Sequence, residues 1–461
     1  MKNLTIVVVL VVNCLSLAAQ NPKLTKEQDS MRRVMEERMK VWDQQRKLYD
    51  KMYAVDPKHA VDSTNASQKA KRLAEGLKRL KGYQQNTRID TLNEINLSYA
   101  GLSEVPDFVF NARKMEVLIL DWNDIKMLPK ELSELDSLKR IYWRGNNLDQ
   151  YWWIRIQKIK GLEKLDLSNN SLSRLPRAVR KLEGLEELVL DENFLGEIPV
   201  HRLARADFIK AVSFNKSHSM SLDQNDYHQL DFIEILKVNN SKIANVHESF
   251  YDMAGLKELQ LQENQLKQIP EGISRMKRLE KLSFYKNELE TLPEDLFDLN
   301  LKIIDLYYNQ LEVIPDEIGT LIDLEVLFLA NNKIYSLPES IGNLKNLEEM
   351  YVHHNRLSVL PESISKLAQL KVARVNDNYL IEFPAEFMGM KDLVDLDVSN
   401  NQLETLSPDL ENLPSLELFN YQENPIDFNS AENAYLSPMI VRMLERGVTC
   451  VPRIYREEVS K

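Results

Sequence analysis

Cysteine is nearly absent. Only Cys14 and Cys450 occur in 461 residues, so no disulfide framework can organise the fold. Positive charge is also short: 59 Lys and Arg against 70 Asp and Glu leave a net charge of −11. The imbalance is regional. Residues 21–90 hold 17 Lys/Arg and 10 Asp/Glu, a net of +7; with Lys2 adding one, −19 is left for residues 91–461. An acidic body of that size excludes nucleic acid as the expected partner, because phosphate binding needs a basic footprint. Long apolar runs are missing after the N-terminal Leu4–Val12, so no transmembrane span is expected in the mature chain. There is no glycine-rich phosphate loop, no Cys/His spacing suited to zinc, and no nucleophile placed with a base. The chain therefore reads as a non-enzyme with no cofactor.

What fills the chain instead is a repeat close to L-x-x-L-x-L-x-x-N-x-L-x-x-L-P. Regular copies run Leu162, Leu165, Leu167, Asn170, Leu172, Leu175, Pro176 and Leu324, Leu327, Leu329, Asn332, Ile334, Leu337, Pro338. Asn occupies its slot at 123, 146, 170, 193, 264, 287, 309, 332, 355, 378, 401 and 424, in steps of 22 to 24 between adjacent copies. Ala100 takes the slot in a first copy. Lys216 and Ser241, 25 residues apart, align with it in an irregular pair, which brings the count to about fifteen. A fixed period of this size marks a solenoid. Alternating apolar residues such as Leu327-Phe328-Leu329 suit a short strand with one buried face. The Asn amide is placed to bond backbone groups where the chain leaves the strand, and stacked copies would form a ladder. Residues after the Pro carry helical spacing, and no repeat can bury its apolar edge without neighbours. Because Lys216 and Ser241 replace Asn, the ladder is predicted to break there. The polar segment 213–231 reads as a decayed repeat with a longer convex loop. Its His218, Asp223, Asp226 and His228 lack a recognised metal spacing.

Residues 92–427 resemble the leucine-rich repeat family, in its 23-residue subclass with L-P-x-x-I-x-x-L between strands. The runs Pro338-Glu339-Ser340-Ile341 and Pro361-Glu362-Ser363-Ile364 look like the Ras-suppressor and plant intracellular versions. The resemblance implies an α/β leucine-rich repeat solenoid, a curved right-handed superhelix with a parallel sheet on its concave face. It implies function only as recognition of another macromolecule. Extracellular members from eukaryotes commonly close their ends with disulfides, so a secreted chain without them looks bacterial.

The ends differ in character. Residues 1–20, with Lys2, the apolar Leu4–Val12 and small Ser16, Ala18 and Ala19, have the layout of a signal peptide. The expected location is therefore secreted, periplasmic or cell-envelope. Lipid modification at Cys14 is disfavoured, since Asn13 precedes it and apolar residues continue past it. Residues 21–90 read as a basic helical arm or cap. Its first helix, Lys26 to Tyr53, suits self-association, and its second, Ser67 to Tyr83, suits a cap over the first repeat. Residues 428–461 form the expected C-terminal cap. There Tyr435, Leu436, Met439, Ile440, Met443 and Leu444 make an apolar helix face, and Cys450 packs nearby.

A concave face made of strand-flanking residues points to a binding site. Tyr285, Tyr307, Tyr308, Phe328, Tyr351, His353 and His354 fall in consecutive repeats, bordered by Lys281, Asp305, Arg374 and Asp397. Exposed aromatics dominate binding energy at interfaces. The site residues expected to meet a partner are Tyr285, Tyr307, Tyr308, Phe328, Tyr351, His353 and Arg374. A protein partner is the leading expectation, and sugar rings stacking on the same platforms are the alternative, with Asp305, Asn376 and Asp397 for hydroxyls. An intracellular Ras-suppressor-type scaffold is the other alternative, separated by whether residues 1–20 are removed. His353-His354 beside Glu349 lacks the companions of acid–base or metal chemistry. A second aromatic group, Trp122, Tyr142, Trp143, Tyr151, Trp152 and Trp153, is expected to be split between core (Trp143) and concave face (Trp122, Tyr142).

Overall fold

Each repeat contributes one short strand and a short helical turn, most often 3₁₀, and stacking does the rest. A computed structural model describes residues 66–148, 151–224 and 226–451. Sixteen three-residue strands form one open parallel sheet in strictly sequential order. They run from β1 (Glu94–Asn96) and β2 (Val117–Ile119), through β10 (Ile303–Asp305), β11 (Val326–Phe328), β12 (Glu349–Tyr351), β13 (Val372–Arg374), β14 (Asp395–Asp397) and β15 (Leu418–Asn420), to β16 (Thr449–Val451). The central residue of each strand points inward: Leu327, Met350 and Leu396 are fully buried in one continuous core. Its two neighbours face the concave side, where successive repeats align in register, as in Phe328 beside Tyr351.

The helical spacing after the Pro resolves mostly into single 3₁₀ turns, with short α-helical turns at Trp153–Ile156 and Val200–Leu203. Glu339–Asn343 and Glu362–Lys366 are typical, each with Pro at the N-cap in extended conformation. A coil of about 23 residues leaves room for one such turn, and Pro pre-sets the entry without costing a hydrogen bond.

The Asn ladder is real. Asn170 donates to the carbonyls of Trp143, Leu167 and Ser168 at 2.8, 3.0 and 3.0 Å, while its Oδ1 accepts the Asn146 amide at 2.9 Å. The residue before each slot turns left-handed: Trp122, Lys216, Tyr308 and His354 have φ of 57°, 55°, 55° and 51°. That geometry corrects the irregular pair. Lys216 is the left-handed residue, and Ser217 occupies the slot. The ladder thins rather than breaks: the Ser217 amide donates to Ser241 Oγ at 3.1 Å, and the Ser241 amide to Asn264 Oδ1 at 3.0 Å. The Ser217 hydroxyl is buried without a partner among the described residues. Ser241, by contrast, still donates to the Phe214 and Asn239 carbonyls at 3.2 and 3.0 Å.

Both ends of the described sheet carry helix. Helix α1 (Ala66–Gln84) lies against β1, whose outer edge would otherwise be unpaired. Arg79 donates to the Ser98 carbonyl at 2.7 Å, and the Asn96 amide donates to the Tyr83 hydroxyl at 3.1 Å. Gly76 permits this approach, since a Cβ there would sit 2.2 Å from the Tyr99 carbonyl. At the other end, helix Leu436–Glu445 buries Leu436, Met439 and Met443. Leu444, expected on that face, is half exposed. A strand follows that the sequence pattern did not suggest: β16 pairs with β15 through Phe419 and Cys450. Cys450 is buried there, and desolvation pushes its thiol up to about 12. The first N-terminal helix and the signal-peptide segment lie outside the described residues.

Candidate functional site

The solenoid brings the expected aromatic residues together. Phe328, Tyr351 and Arg374 take the same strand position in β11, β12 and β13. Tyr285, Tyr307 and His353 lie two residues past that position in their own repeats, and Tyr308 takes the left-handed position beside the ladder. Rings touch in sequence: Tyr285–Tyr308 at 5.8 Å, Tyr307–Tyr308 at 4.8 Å, Tyr307–His353 at 5.4 Å, and Phe328–Tyr351 stacked at 4.8 Å. The repeat between Tyr307 and His353 offers only Ala330, fully buried. That gap lets the Tyr307 hydroxyl reach His353 Nε2 at 2.6 Å, across 46 residues of chain.

Exposure within the group is uneven. Tyr308 is 45% exposed, whereas Phe328 and Tyr351 are 7% and 6% exposed. Of the aromatics expected to meet a partner, Phe328 and Tyr351 are therefore buried rather than exposed. Phe328 and Tyr351 cover each other as a floor; Tyr285, Tyr307 and His353 are half-buried, and Tyr308 stands out. Neighbouring strands under 5 Å apart pack large rings against one another, so a column of aromatics shields itself.

Burial sets the electrostatics. Desolvation pushes the Tyr285 hydroxyl up to about 12 and drives Tyr307 and Tyr351 further in the same direction. His353 is pulled down to about 3, chiefly by desolvation, with His354 and Arg374 adding repulsion. It is a neutral imidazole across the physiological range. Tyr351 donates to Glu349 Oε2 at 2.7 Å. Burial raises Glu349 as well, more than the tyrosine hydrogen bond lowers it. Arg374 is not a free cation: it contacts Asp395 and meets Asp397 Oδ2 at 2.9 Å. Burial opposes its charge and the two carboxylates more than restore it. One guanidinium shared by two carboxylates leaves a net negative charge, and buried Asp395 rises to about 6, chiefly through desolvation. His353 Nδ1 and Arg374 Nε stay buried without hydrogen-bond partners among the described residues.

The bordering carboxylates are engaged as well. Asp305 accepts from Ser283 Oγ at 2.9 Å and the Tyr307 amide at 3.1 Å; Asp397 accepts from Asn420 Nδ2 at 2.8 Å. His354 is exposed, with Nε2 3.6 Å from Asp377 Oδ2. Among the described residues no group of three or more His, Cys, Asp or Glu is placed to hold a metal ion, the 213–231 segment included.

In the second aromatic group, Trp143 is core as expected, with its indole N–H donating to the Ile125 carbonyl at 2.9 Å. Tyr142 is 7% exposed beside Val117 and Ile119. Trp122 stacks on Tyr99 at 6.0 Å, with the Arg144 guanidinium 5.6 Å from its ring.

One feature escaped the sequence reading. A polar run crosses the concave face between the two aromatic groups. Asn215 donates to Asp191 at 3.1 Å, Asn239 to Gln260 at 3.1 Å, and Gln262 to Ser283 at 2.9 Å. Its signal was amide and hydroxyl residues recurring two and four places before the ladder slot in successive repeats. These side chains satisfy one another, so the middle of the face closes on itself.

Comparison with known proteins finds the leucine-rich repeat in parts of the chain. The family described as "Leucine-rich repeat region" matches residues 301–439, and "Leucine Rich Repeat" matches residues 161–182. A leucine-rich repeat protein of Leptospira interrogans superposes with a TM-score of 0.62 at 25% identity, covering 81% of this chain and 98% of that one. The Toll–Spatzle complex of Drosophila gives 0.63 at 20% identity, covering 77% of this chain and 50% of that chain. Mouse Podocan is 32% identical over 124 residues, 21% of this chain, and the match spans only 19% of Podocan. The fold is that of a leucine-rich repeat solenoid, and these matches support its place in the leucine-rich repeat family.

Proposed function

We propose that this chain is a non-catalytic protein-binding module of the cell envelope or exterior, recognising a macromolecular partner on its concave face. The site comprises Tyr285, Tyr307, Tyr308, Phe328, Tyr351, His353 and Arg374. One observation carries the reading: the rings form a continuous chain of contacts from Tyr285 through Tyr308, Tyr307 and His353 to Tyr351 and Phe328, with Tyr308 exposed within it. Locked aromatics lose little entropy on binding and bury large area. Phe328, Tyr351 and the Asp-clamped Arg374 act as the floor that holds Tyr307, Tyr308 and His353 in place. The envelope location rests on the layout of residues 1–20.

The test is affinity capture with the chain from its native envelope or medium, beside a Tyr307→Ala/Tyr308→Ala variant shown folded by circular dichroism. A protein held by wild type and released by the variant supports the concave site; equal retention by both rejects it. Intact mass of the native protein tests the location. Loss of about the first twenty residues supports export, whereas a full-length mass favours the intracellular scaffold.

A further inference from the structure

A second surface lies on the flank of the solenoid, where each repeat leaves its Asn and descends toward the Pro. Most apolar residues there turn inward, but four consecutive repeats also leave one outside. Val313, Tyr335, Val359 and Ile381 are 48%, 54%, 66% and 60% exposed, and Tyr379 beside them is 52% exposed. They belong to neighbouring coils that touch: Val313 bridges to Ser336 in parallel β fashion, and the Tyr335 amide donates to the Glu312 carbonyl at 3.3 Å. Val313 and Val359 lie four residues past their ladder Asn and Tyr335 and Ile381 three past theirs, so the row zigzags by one residue from coil to coil; Glu290 and Glu404 stand in the repeats on either side. Exposed apolar residues recurring in four consecutive coils are uncommon on a surface meant only for water.

Charge around the row is one-sided. Glu312, Asp316, Glu317, Glu339, Glu362 and Glu382 are all exposed within or directly below it, against Lys333 and Arg356 above. Two copies meeting through this face would set like charges together, so a second copy of this chain does not fit it. Spacing identifies the shape of what does. Adjacent repeats lie about 4.8 Å apart, so four repeats span roughly 14 Å. On an α-helix, side chains at i and i+3 or i+4 are displaced by about 4.5–6 Å along the axis. One helix lying across the repeats would therefore set one apolar side chain on each coil for about three turns.

We propose that this flank binds a basic amphipathic helix of a partner protein. Its apolar stripe seats on Val313, Tyr335, Val359 and Ile381, and its Lys or Arg residues reach the carboxylates below. This surface is separate from the concave site and does not depend on it.

The test uses the full chain and a fluorescein-labelled 14-residue helical peptide of Leu and Lys, with Leu at i, i+3, i+4 and i+7. The control peptide has the same composition in an order that destroys the apolar stripe. Saturable binding of the first peptide is expected, weakened at least tenfold by Val359→Ser/Ile381→Ser. A Glu312→Gln/Glu362→Gln/Glu382→Gln variant should bind more weakly and with less salt dependence. The Tyr307→Ala/Tyr308→Ala variant should bind it as wild type does. These positions are at the surface, and circular dichroism confirms that each variant folds. Equal binding of the two peptides, or no loss with Val359→Ser/Ile381→Ser, would overturn the proposal. Loss confined to the Tyr307/Tyr308 variant would also overturn it by moving the helix to the concave site.

Discussion

Replacing Asn355 by Ala tests whether the ladder supports the concave site. Asn355 is 7% exposed and lies directly beneath His353 and His354. Its Nδ2 donates to the carbonyls of Leu329, Val352 and His353 at 3.0, 2.9 and 3.3 Å, and its Oδ1 accepts the Ile334 amide at 3.0 Å. Alanine removes all four bonds. The three carbonyls keep other donors, Leu329 from Asn332 Nδ2 at 2.8 Å, Val352 from Asn378 Nδ2 at 3.1 Å and His353 from the Asn331 amide at 3.0 Å, so the Ile334 N–H is the group left without its partner. At about 1–3 kcal/mol for a buried group deprived of its partner, the loss comes to ~1–3 kcal/mol. Asn355→Asp should do no better: it keeps an acceptor for Ile334 but turns a carboxylate toward three carbonyls. Hydrogen exchange read by NMR or mass spectrometry is the suitable assay, because a long repeat array need not unfold in one step. Protection should fall at Ile334 and across β11 to β13. Asn412→Ala, on an exposed turn, should change stability by no more than about 0.5 kcal/mol. An Asn355→Ala chain with Ile334 protection intact and a loss under ~1 kcal/mol would refute the reasoning.

Gly76→Ala should loosen α1 from β1, costing about 1–3 kcal/mol locally, seen as new protease cleavage in 66–84. Gly82→Ala, where a Cβ meets nothing within 4 Å, should stabilise the helix by ~0.5–1 kcal/mol. Asp166 is fully buried and raised to about 6, chiefly by desolvation, with Asp121 repelling. Its folded value exceeds its unfolded one, so stability is fully present below about pH 4 and is lost as pH rises through about 6. Urea titrations should show up to ~3 kcal/mol of this loss, flattened in Asp166→Asn. His353 runs the other way: its value is depressed to about 3, so its contribution is complete above about pH 6.5 and lost as pH falls toward 3. An imidazole resonance for His353 that shifts between pH 5 and 8 would contradict its burial. Cys450 should resist thiol reagents in the native chain and react on unfolding, as mapped by peptide mass.

Much of the fold was legible because the repeat is written in the primary structure. An apolar residue at each inward strand position and Asn at most ladder slots leave one way to stack, and the inward role of Trp143 followed from its Leu slot. What escaped were features that depend on a neighbour's size. Ser217 rather than Lys216 fills the slot because the left-handed residue must come just before it. The strand at Cys450 carries no repeat signature; β15 supplies its hydrogen-bonding edge.

The candidate site divides the same way. Periodicity alone placed Tyr285, Tyr307, Tyr308, Phe328, Tyr351, His353 and Arg374 on one face, since residues at matching slots of a solenoid must align. Only the packed structure decided which of them meet solvent. Phe328 and Tyr351 stack shut, Ala330 opens the gap that joins Tyr307 to His353, and two carboxylates close on Arg374. Periodicity assigns each residue a direction, but exposure is set by the volume and charge of whatever stands one repeat away.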